Sequence, residues 1–432
     1  MAAVENIMRG CLGIAVFIGI AVLLSENRKA IAWRVVVAGL VLQFALAALV
    51  IHVPFVRAGM ELVGMFFVKF LGFTTEGTRF LFGSLIDREK NGMVFALAVL
   101  PSIVFFSAFT AALYYLGILQ KIVYALAWLV SKTMKLSGPE TLSASANVFL
   151  GQTEAPLLIR PWLAGMTRSE ILCVMIAGMA TVAGAVMVAY IQLLGGGDPR
   201  QQLIYATHLL TASVISVPAA LMISKVLLPQ TEAVDTSLHL AKDRNGINLL
   251  DAICSGTTEG IKLAVNVGAM LLVFTALVSF VNFVMGSVIG APTGLNDLVL
   301  RWSGGVYESF SLEFVLGIAF APFAWLMGVS SDAVLQSGEY LGLRTVLNEF
   351  VAFLRMGEMK AAGTYADPRN LMIVTYALTG FANIVSIGVQ IGGIGVLAPS
   401  QRENLARLGW KALIGANLAC FMTGAVAGIL SP

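Results

Sequence analysis

Eight stretches of this chain, near residues 7–24, 30–51, 93–119, 171–194, 203–228, 263–286, 371–398 and 412–430, are apolar for long enough to cross a bilayer as helices. A hydrocarbon core of ~30 Å takes roughly 20 helical residues. Backbone at that depth must satisfy its own hydrogen bonds, which favours helices over irregular chain. The expected fold class is therefore an all-α membrane protein with eight transmembrane helices, the seventh heavily interrupted by glycine. Composition agrees: 12% of the 432 residues are charged, about half the share typical of a soluble domain. The first run lacks a basic leader and a small-residue cleavage site, so it reads as a retained span and not a signal peptide.

Several function classes drop out at once. A net charge of +3 is too small to suggest a nucleic-acid partner. Cys11, Cys173, Cys254 and Cys420 stand singly, and His52, His208 and His239 are scattered, so neither a zinc site nor a disulfide framework is indicated. No P-loop is present, so transport driven by ATP would need another subunit. Gly393-Ile394-Gly395 lies in a membrane run with no strand before it, and Gly424 with Gly428 reads as a packing face. No cofactor is expected.

Between the spans, residues 53–72, 120–162 and 312–357 are too polar to cross simply and too apolar for ordinary loops. They read as interfacial helices or two re-entrant hairpins, whose turning backbone must face protein or a water-filled cavity. Arg28, Lys29 and Arg34 in the first loop, and Arg402, Arg407 and Lys411 before the last span, mark the cytoplasmic side. With eight spans, both termini then lie outside. A weak internal repeat relates Ala127-Trp128-Leu129-Val130 to Ala324-Trp325-Leu326-Met327, and each block leads to a broken membrane segment, Thr181-Val182-Ala183-Gly184 and Gly380-Phe381-Ala382-Asn383. Paired interrupted helices in inverted repeats point to a transporter's midplane site.

Three polar constellations sit inside apolar surroundings. The first is Asn147-Val148-Phe149-Leu150-Gly151-Gln152-Thr153-Glu154-Ala155-Pro156. A carboxylate at membrane depth costs several kcal/mol and normally faces a cavity or a partner; an extramembrane loop is the plainer alternative. The second is Asn348-Glu349-Phe350-Val351-Ala352-Phe353, where Glu349 either serves a ligand or pairs with Arg344. The third is Gly380-Phe381-Ala382-Asn383-Ile384-Val385-Ser386-Ile387-Gly388, in a stretch free of charge from 371 to 400. Asn383 and Ser386 there either bridge helices or stand at an unwound helix that exposes carbonyls and half-helix dipoles to a solute.

These strings resemble the signatures of the concentrative nucleoside transporters. Gly342-x-Arg344-x-x-x-Asn348-Glu349-Phe350-Val351-Ala352-Phe353 is similar to the family's central motif, and Gly151-Gln152-Thr153-Glu154 and Gly380-Phe381-Ala382-Asn383 match two others in the right order. The resemblance runs from the first span to the last. Two departures, Arg344 for the usual Lys and Val385 for a frequent Ser, bear on substrate preference.

The resemblance implies a homotrimer in the inner (plasma) membrane of a bacterium, with a scaffold of spans one, two, three and six. A mobile transport domain would hold hairpins at about 137–162 and 333–358 and the broken fourth and seventh spans. The chain then divides into 1–119 (scaffold helices with an interfacial segment), 120–228 (first transport repeat), 229–300 (linker and sixth span) and 301–432 (second transport repeat). Gln152, Thr153 and Glu154, with Val186 and Phe381, would hold the nucleobase of a nucleoside such as uridine, cytidine or adenosine. Glu349, Asn383 and Ser386 would hold its ribose. Sodium would take the side chains of Asn147 and Thr181 and the carbonyls of Leu150 and Val182, all oxygen donors suited to a hard cation. Proton-coupled relatives tend to lack the Asn and carry Gly-Gln-Ser-Glu-Asn, whereas this chain keeps Asn147 and reads Gly-Gln-Thr-Glu-Ala. The expectation is a sodium-coupled nucleoside symporter working by elevator-type alternating access. Its rivals are a proton-coupled importer, a membrane-embedded enzyme using Glu154 and Glu349, and a passive channel.

Overall fold

The computed structural model describes residues 2–92, 94–238, 246–365 and 367–431, which leaves His239 outside. The described residues are helical with no strand. Among them, seven helices are long and apolar enough to cross a membrane: Glu5–Leu23, Trp33–His52, Phe95–Tyr115, Arg168–Gly195, Pro199–Leu227, Leu249–Thr293 and Pro399–Leu430. The seventh apolar run, 371–398, forms two half-length helices in place of one, because a break at residues 379–383 divides it.

The chain opens with α1 (Ala2–Leu23) and α2 (Trp33–His52), then α3 (Pro54–Phe82). Helix α3 is longer than the segment expected at 53–72. Pro54 stands in its first turn, where a missing N–H costs nothing. Its buried residues Gly64, Phe67, Leu71, Thr74 and Thr78 recur every three or four positions and so form one inward stripe. Phe70 on the same helix stacks on Phe105 of α4 (Leu100–Tyr115) at 4.2 Å.

The rest of the chain uses one succession of elements twice. The first copy is α5 (Ile118–Met134), the hairpin helix α6 (Gly138–Ala146), the broken pair α7 (Arg168–Ala180) and α8 (Gly184–Gly195), and the long α9 (Pro199–Leu227). Helix α10 (Leu249–Asn282) separates it from the second copy and runs on through a π-helical stretch, Phe283–Gly290. The second copy is α11 (Leu312–Leu326), the hairpin of α12 (Val334–Val346) and α13 (Glu349–Ala361), the broken pair α14 (Pro368–Leu378) and α15 (Ile384–Leu397), and the long α16 (Arg402–Leu430). Both closing helices, α9 and α16, are 29 residues long.

Burial separates a centre from an exterior. The apolar windows of α7–α8 and α9 are each 94% buried and that of α16 is 83% buried, whereas only 6% of the α10 window is buried. An α10 that turns Leu272 and Phe280 outward suits lipid or another protein, not water. The central helices are rich in Gly, Ala, Ser and Thr, which allows close backbone approach.

Two charges are buried together in this centre. Glu140 closes a capping box on Ser137 at the start of α6, and its carboxylate meets Lys225 Nζ of α9 at 2.6 Å. Lys225 also donates to Ser169 Oγ at 3.0 Å, so the pair ties the first hairpin to the core. At one end of the bundle, Glu26 in the first loop meets Lys411 of α16 at 2.6 Å and Arg168 of α7 at 3.5 Å. At the other end, Gly10 of α1 lies against Ile429 of α16.

Candidate solute site between two hairpin tips and two broken helices

The first hairpin turns over residues 147–154 and returns through a 3-10 turn, Ala155–Ile159, and the short helix Arg160–Leu163. Pro156 and Pro161 remove two backbone donors from this return limb, so it stays irregular. The second hairpin turns at Leu347 and Asn348. The Asn348 side chain accepts from Val351 N at 3.0 Å and starts α13, which places Glu349 in its first turn.

The two helix breaks lie against each other. Gly380 adopts φ 148°, and a Cβ there would stand 2.8 Å from the Met179 carbonyl oxygen and 2.9 Å from the Ala180 carbonyl carbon. Only glycine fits so close to another backbone. Beyond that break, Asn383 caps α15 by accepting from Ser386 N at 2.9 Å. The first break touches the first hairpin tip through a bond from Gly184 N to the Phe149 carbonyl at 3.0 Å.

A cavity of about 310 Å³ opens where these four features meet. Ligand pockets commonly start at about that size. Gln152, Thr153 and Glu154 of the first tip line it, with Val186 of α8 and Glu349 of the second tip. Phe381, Asn383 and Ser386 of the second break complete the set. The structure thus brings all eight residues expected at the substrate site to one cavity. The facing wall comes from α4 and α10, including Tyr114, Glu259 and Asn266.

The polar groups are organised in two networks. Glu349 Oε1 accepts from the Tyr190 hydroxyl at 2.8 Å, and Oε2 accepts from Asn383 Nδ2 at 2.9 Å. Gln152 Nε2 donates to Ser386 Oγ at 3.1 Å, while Gln152 Oε1 accepts from Gln390 Nε2 at 3.0 Å. Glu154 Oε2 accepts from Gly151 N at 3.1 Å. Each carboxylate keeps lone pairs for a ligand. Tyr190, Gln390, Glu259 and Asn266 are additions that the motifs do not mark. Gln390 carries a usable signal all the same: an amide in a charge-free apolar run, one helical turn after Ser386.

Among the described residues, Arg344 forms no hydrogen bond or ion pair with Glu349. Its guanidinium, wholly buried, donates to the Ala377 carbonyl at 2.6 Å and to Asn417 Oδ1, and lies 5.4 Å from the Phe421 ring centroid. Ala377 is in the last turn of α14, so the cation stands at the negative end of a half-helix.

Of the residues expected to hold sodium, Asn147 and Leu150 lie in the first tip and Thr181 and Val182 in the first break, two segments joined by the Gly184 N to Phe149 carbonyl bond. Asn147 is 1% exposed; its Nδ2 donates to the Ser143 carbonyl at 3.0 Å, and its Oδ1 has no hydrogen-bond partner among the described residues. The Thr181 hydroxyl donates to the Ala177 carbonyl at 2.8 Å, which leaves oxygen lone pairs available. Leu150 and Val182, whose carbonyls are expected to contribute, are buried in the same two segments. A buried amide oxygen without a donor is costly unless something positive meets it.

Comparison with known proteins converges on one assignment. Residues 208–428 match the family model described as Na+ dependent nucleoside transporter C-terminus, and residues 12–85 match the corresponding N-terminus. Residues 96–197 match a model described as nucleoside recognition. The chain belongs to the Na+-dependent nucleoside transporter family. Like other members of this family it is a membrane transporter and not an enzyme. An uncharacterized transporter of Haemophilus influenzae is 38% identical, with 98% of each chain covered. Solute carrier family 28 member 3 of Eptatretus stoutii is 37% identical over 97% of this chain, which spans 60% of that longer protein. The solved structure of CNTnw in an inward-facing substrate-bound state covers 98% of each chain at 37% identity, with a TM-score of 0.87. A CNTnw variant in an outward-facing state matches at 0.88.

Proposed function

We propose that this transporter is a sodium-coupled symporter that imports nucleosides across a bacterial inner membrane. The observation that carries the reading is the single cavity in which two carboxylates, two amides, two hydroxyls and a phenyl ring from both repeats converge. A nucleoside offers matching chemistry: base-edge donors and acceptors for Gln152, Thr153 and Glu154, a flat face for Phe381 and Val186, and vicinal hydroxyls for Glu349, Asn383 and Ser386. The orphaned Oδ1 of Asn147 supports sodium as the coupling ion, with the Thr181 hydroxyl and the Leu150 and Val182 carbonyls as the other donors.

The hairpins, with α7–α9 and α14–α16, form the transport domain in this reading, and α1, α2, α4 and α10 form the scaffold against which it moves. Movement of the whole site past the scaffold, elevator fashion, then gives alternating access. Re-entry of the hairpins from opposite faces accords with the inverted repeat. The apolar exterior of α10 favours burial between copies in a homotrimer. Glu26, Lys411 and Arg168 gather one end of the bundle with Arg28 and Lys29, which favours that end as cytoplasmic, whereas α1 starts and α16 ends at the other. Both termini then face outward.

Uptake of labelled uridine into proteoliposomes at fixed pH tests the reading. Accumulation with sodium outside, lost when choline replaces it, is expected. Undiminished accumulation in choline that tracks a pH gradient would instead make it a proton symporter.

A further inference from the structure

The orientation of the Gln152 amide is set from outside the cavity. Gln390, wholly buried on α15, brings its amide nitrogen 3.0 Å from the Met175 backbone carbonyl and 3.0 Å from Gln152. A backbone carbonyl only accepts, so the Gln390 atom facing it must be the N–H2 end. The same nitrogen faces Gln152, which must therefore answer with its carbonyl oxygen. The Gln152 nitrogen is left toward Ser386 Oγ, 3.1 Å away.

Gln390 decides this polarity. With Gln390 absent, a flipped Gln152 would be equally satisfied, its oxygen accepting from the Ser386 hydroxyl. Space for the paired amides comes from Gly178, where a Cβ would stand 2.8 Å from Gln390 Nε2 and 3.0 Å from Gln152 Cβ. The consequence reaches the ligand. One hydrogen of the Gln152 N–H2 goes to Ser386, and the other remains for the cavity. Ser386, having accepted, still has its own proton to donate.

We propose that Gln390 is a positioning residue that holds the Gln152 N–H toward the bound solute, so that this wall selects a substrate presenting a hydrogen-bond acceptor. In a nucleoside that acceptor is a base carbonyl or an unprotonated ring nitrogen. Glu154 supplies an acceptor elsewhere along the base, so the base is read by a donor on one side and a carboxylate on another, while Glu349 stays with the ribose. The inference rests on the nucleoside reading above.

Equilibrium binding of uridine to the solubilised full chain tests it, using wild type, Gln390→Leu, Gln152→Ala and the double variant. Gln390→Leu should weaken uridine about tenfold, the weight of one hydrogen bond. The double variant should bind no more weakly than Gln152→Ala alone, because Gln390 acts only through Gln152. Gln390→Met, similar in length and without polar N or O atoms, replaces Leu if that variant loses its monodisperse elution or thermal stability. Tenfold losses that multiply undiminished in the double variant, or an unchanged affinity in Gln390→Leu, overturn the inference and leave the nucleoside reading intact. Wild type that binds no uridine removes both.

Discussion

Asn383 Nδ2 donates to Glu349 Oε2 at 2.9 Å, joining the cap of a broken helix to the tip of the second hairpin. The Tyr190 hydroxyl holds the other carboxylate oxygen from α8, in the other repeat. Glu349 is thus gripped from both halves of the transporter and still faces the cavity. Arg344, five residues earlier, spends its guanidinium on the end of α14 and on Asn417.

That arrangement makes Glu349 the strongest candidate for ribose recognition. Glu349→Gln keeps the size and loses the charge, and hydrogen bonds to a charged group are worth about 1.5–3 kcal/mol. Uridine binding should weaken by roughly tenfold or more. The loss should be much smaller for 2′,3′-dideoxyuridine, which has no vicinal hydroxyls. Equal losses for both ligands would mean that Glu349 only braces Tyr190 and Asn383.

Gly380 should tolerate no side chain. Its φ of 148° and the 2.8 Å approach to the Met179 carbonyl mean that even Gly380→Ala must push two helix breaks apart. We expect Gly380→Leu to abolish uptake and Gly380→Ala to lower thermal stability, at a cost of about 1–3 kcal/mol. Wild-type uptake and melting in both variants would show that the breaks need not touch.

The buried pair of Glu140 and Lys225 predicts a compensating double variant. Removing one member leaves the other charge buried without a partner, which costs about 3–5 kcal/mol. Lys225→Met should therefore destabilise the protein strongly, and Glu140→Leu in the same chain should recover most of the loss. Thermal unfolding in detergent reads this directly. A double variant less stable than either single one would mean that Glu140 matters as the cap of α6 more than as an ion.

Much of this architecture is legible in the residues because lipid leaves few options. Long apolar runs mark the helices, and Thr181–Gly184 and Gly380–Asn383 mark the breaks, since small and polar residues within such runs have little other use. The similar Ala127 and Ala324 blocks fall on the ends of α5 and α11, each succeeded by a hairpin. Seven of the eight expected cavity residues stand in the three polar strings, with Val186 following only from the resemblance, yet their partners are not legible. Tyr190 and Gln390 are ordinary in an apolar helix until folding sets them beside Glu349 and Gln152, 159 and 238 residues away. Arg344 shows the same gap: closeness along the chain favours Glu349 as its partner, while the fold offers Ala377 and Asn417. Helix α3 exceeds its expected segment by running through threonines that look like loop residues; their hydroxyls are satisfied within the helix, as Thr74 donates to Phe70 and Thr78 to Thr74.

The central claim is that sodium and nucleoside binding are coupled through Asn147 and Thr181. Linkage requires that a coupling ion tighten its solute and the reverse by the same factor. The measurement is uridine affinity against sodium concentration, with choline holding ionic strength constant, for wild type and Asn147→Ala. In wild type, affinity should rise with sodium; in Asn147→Ala the rise should shift to higher sodium or vanish. An identical sodium dependence in the two proteins would contradict the account.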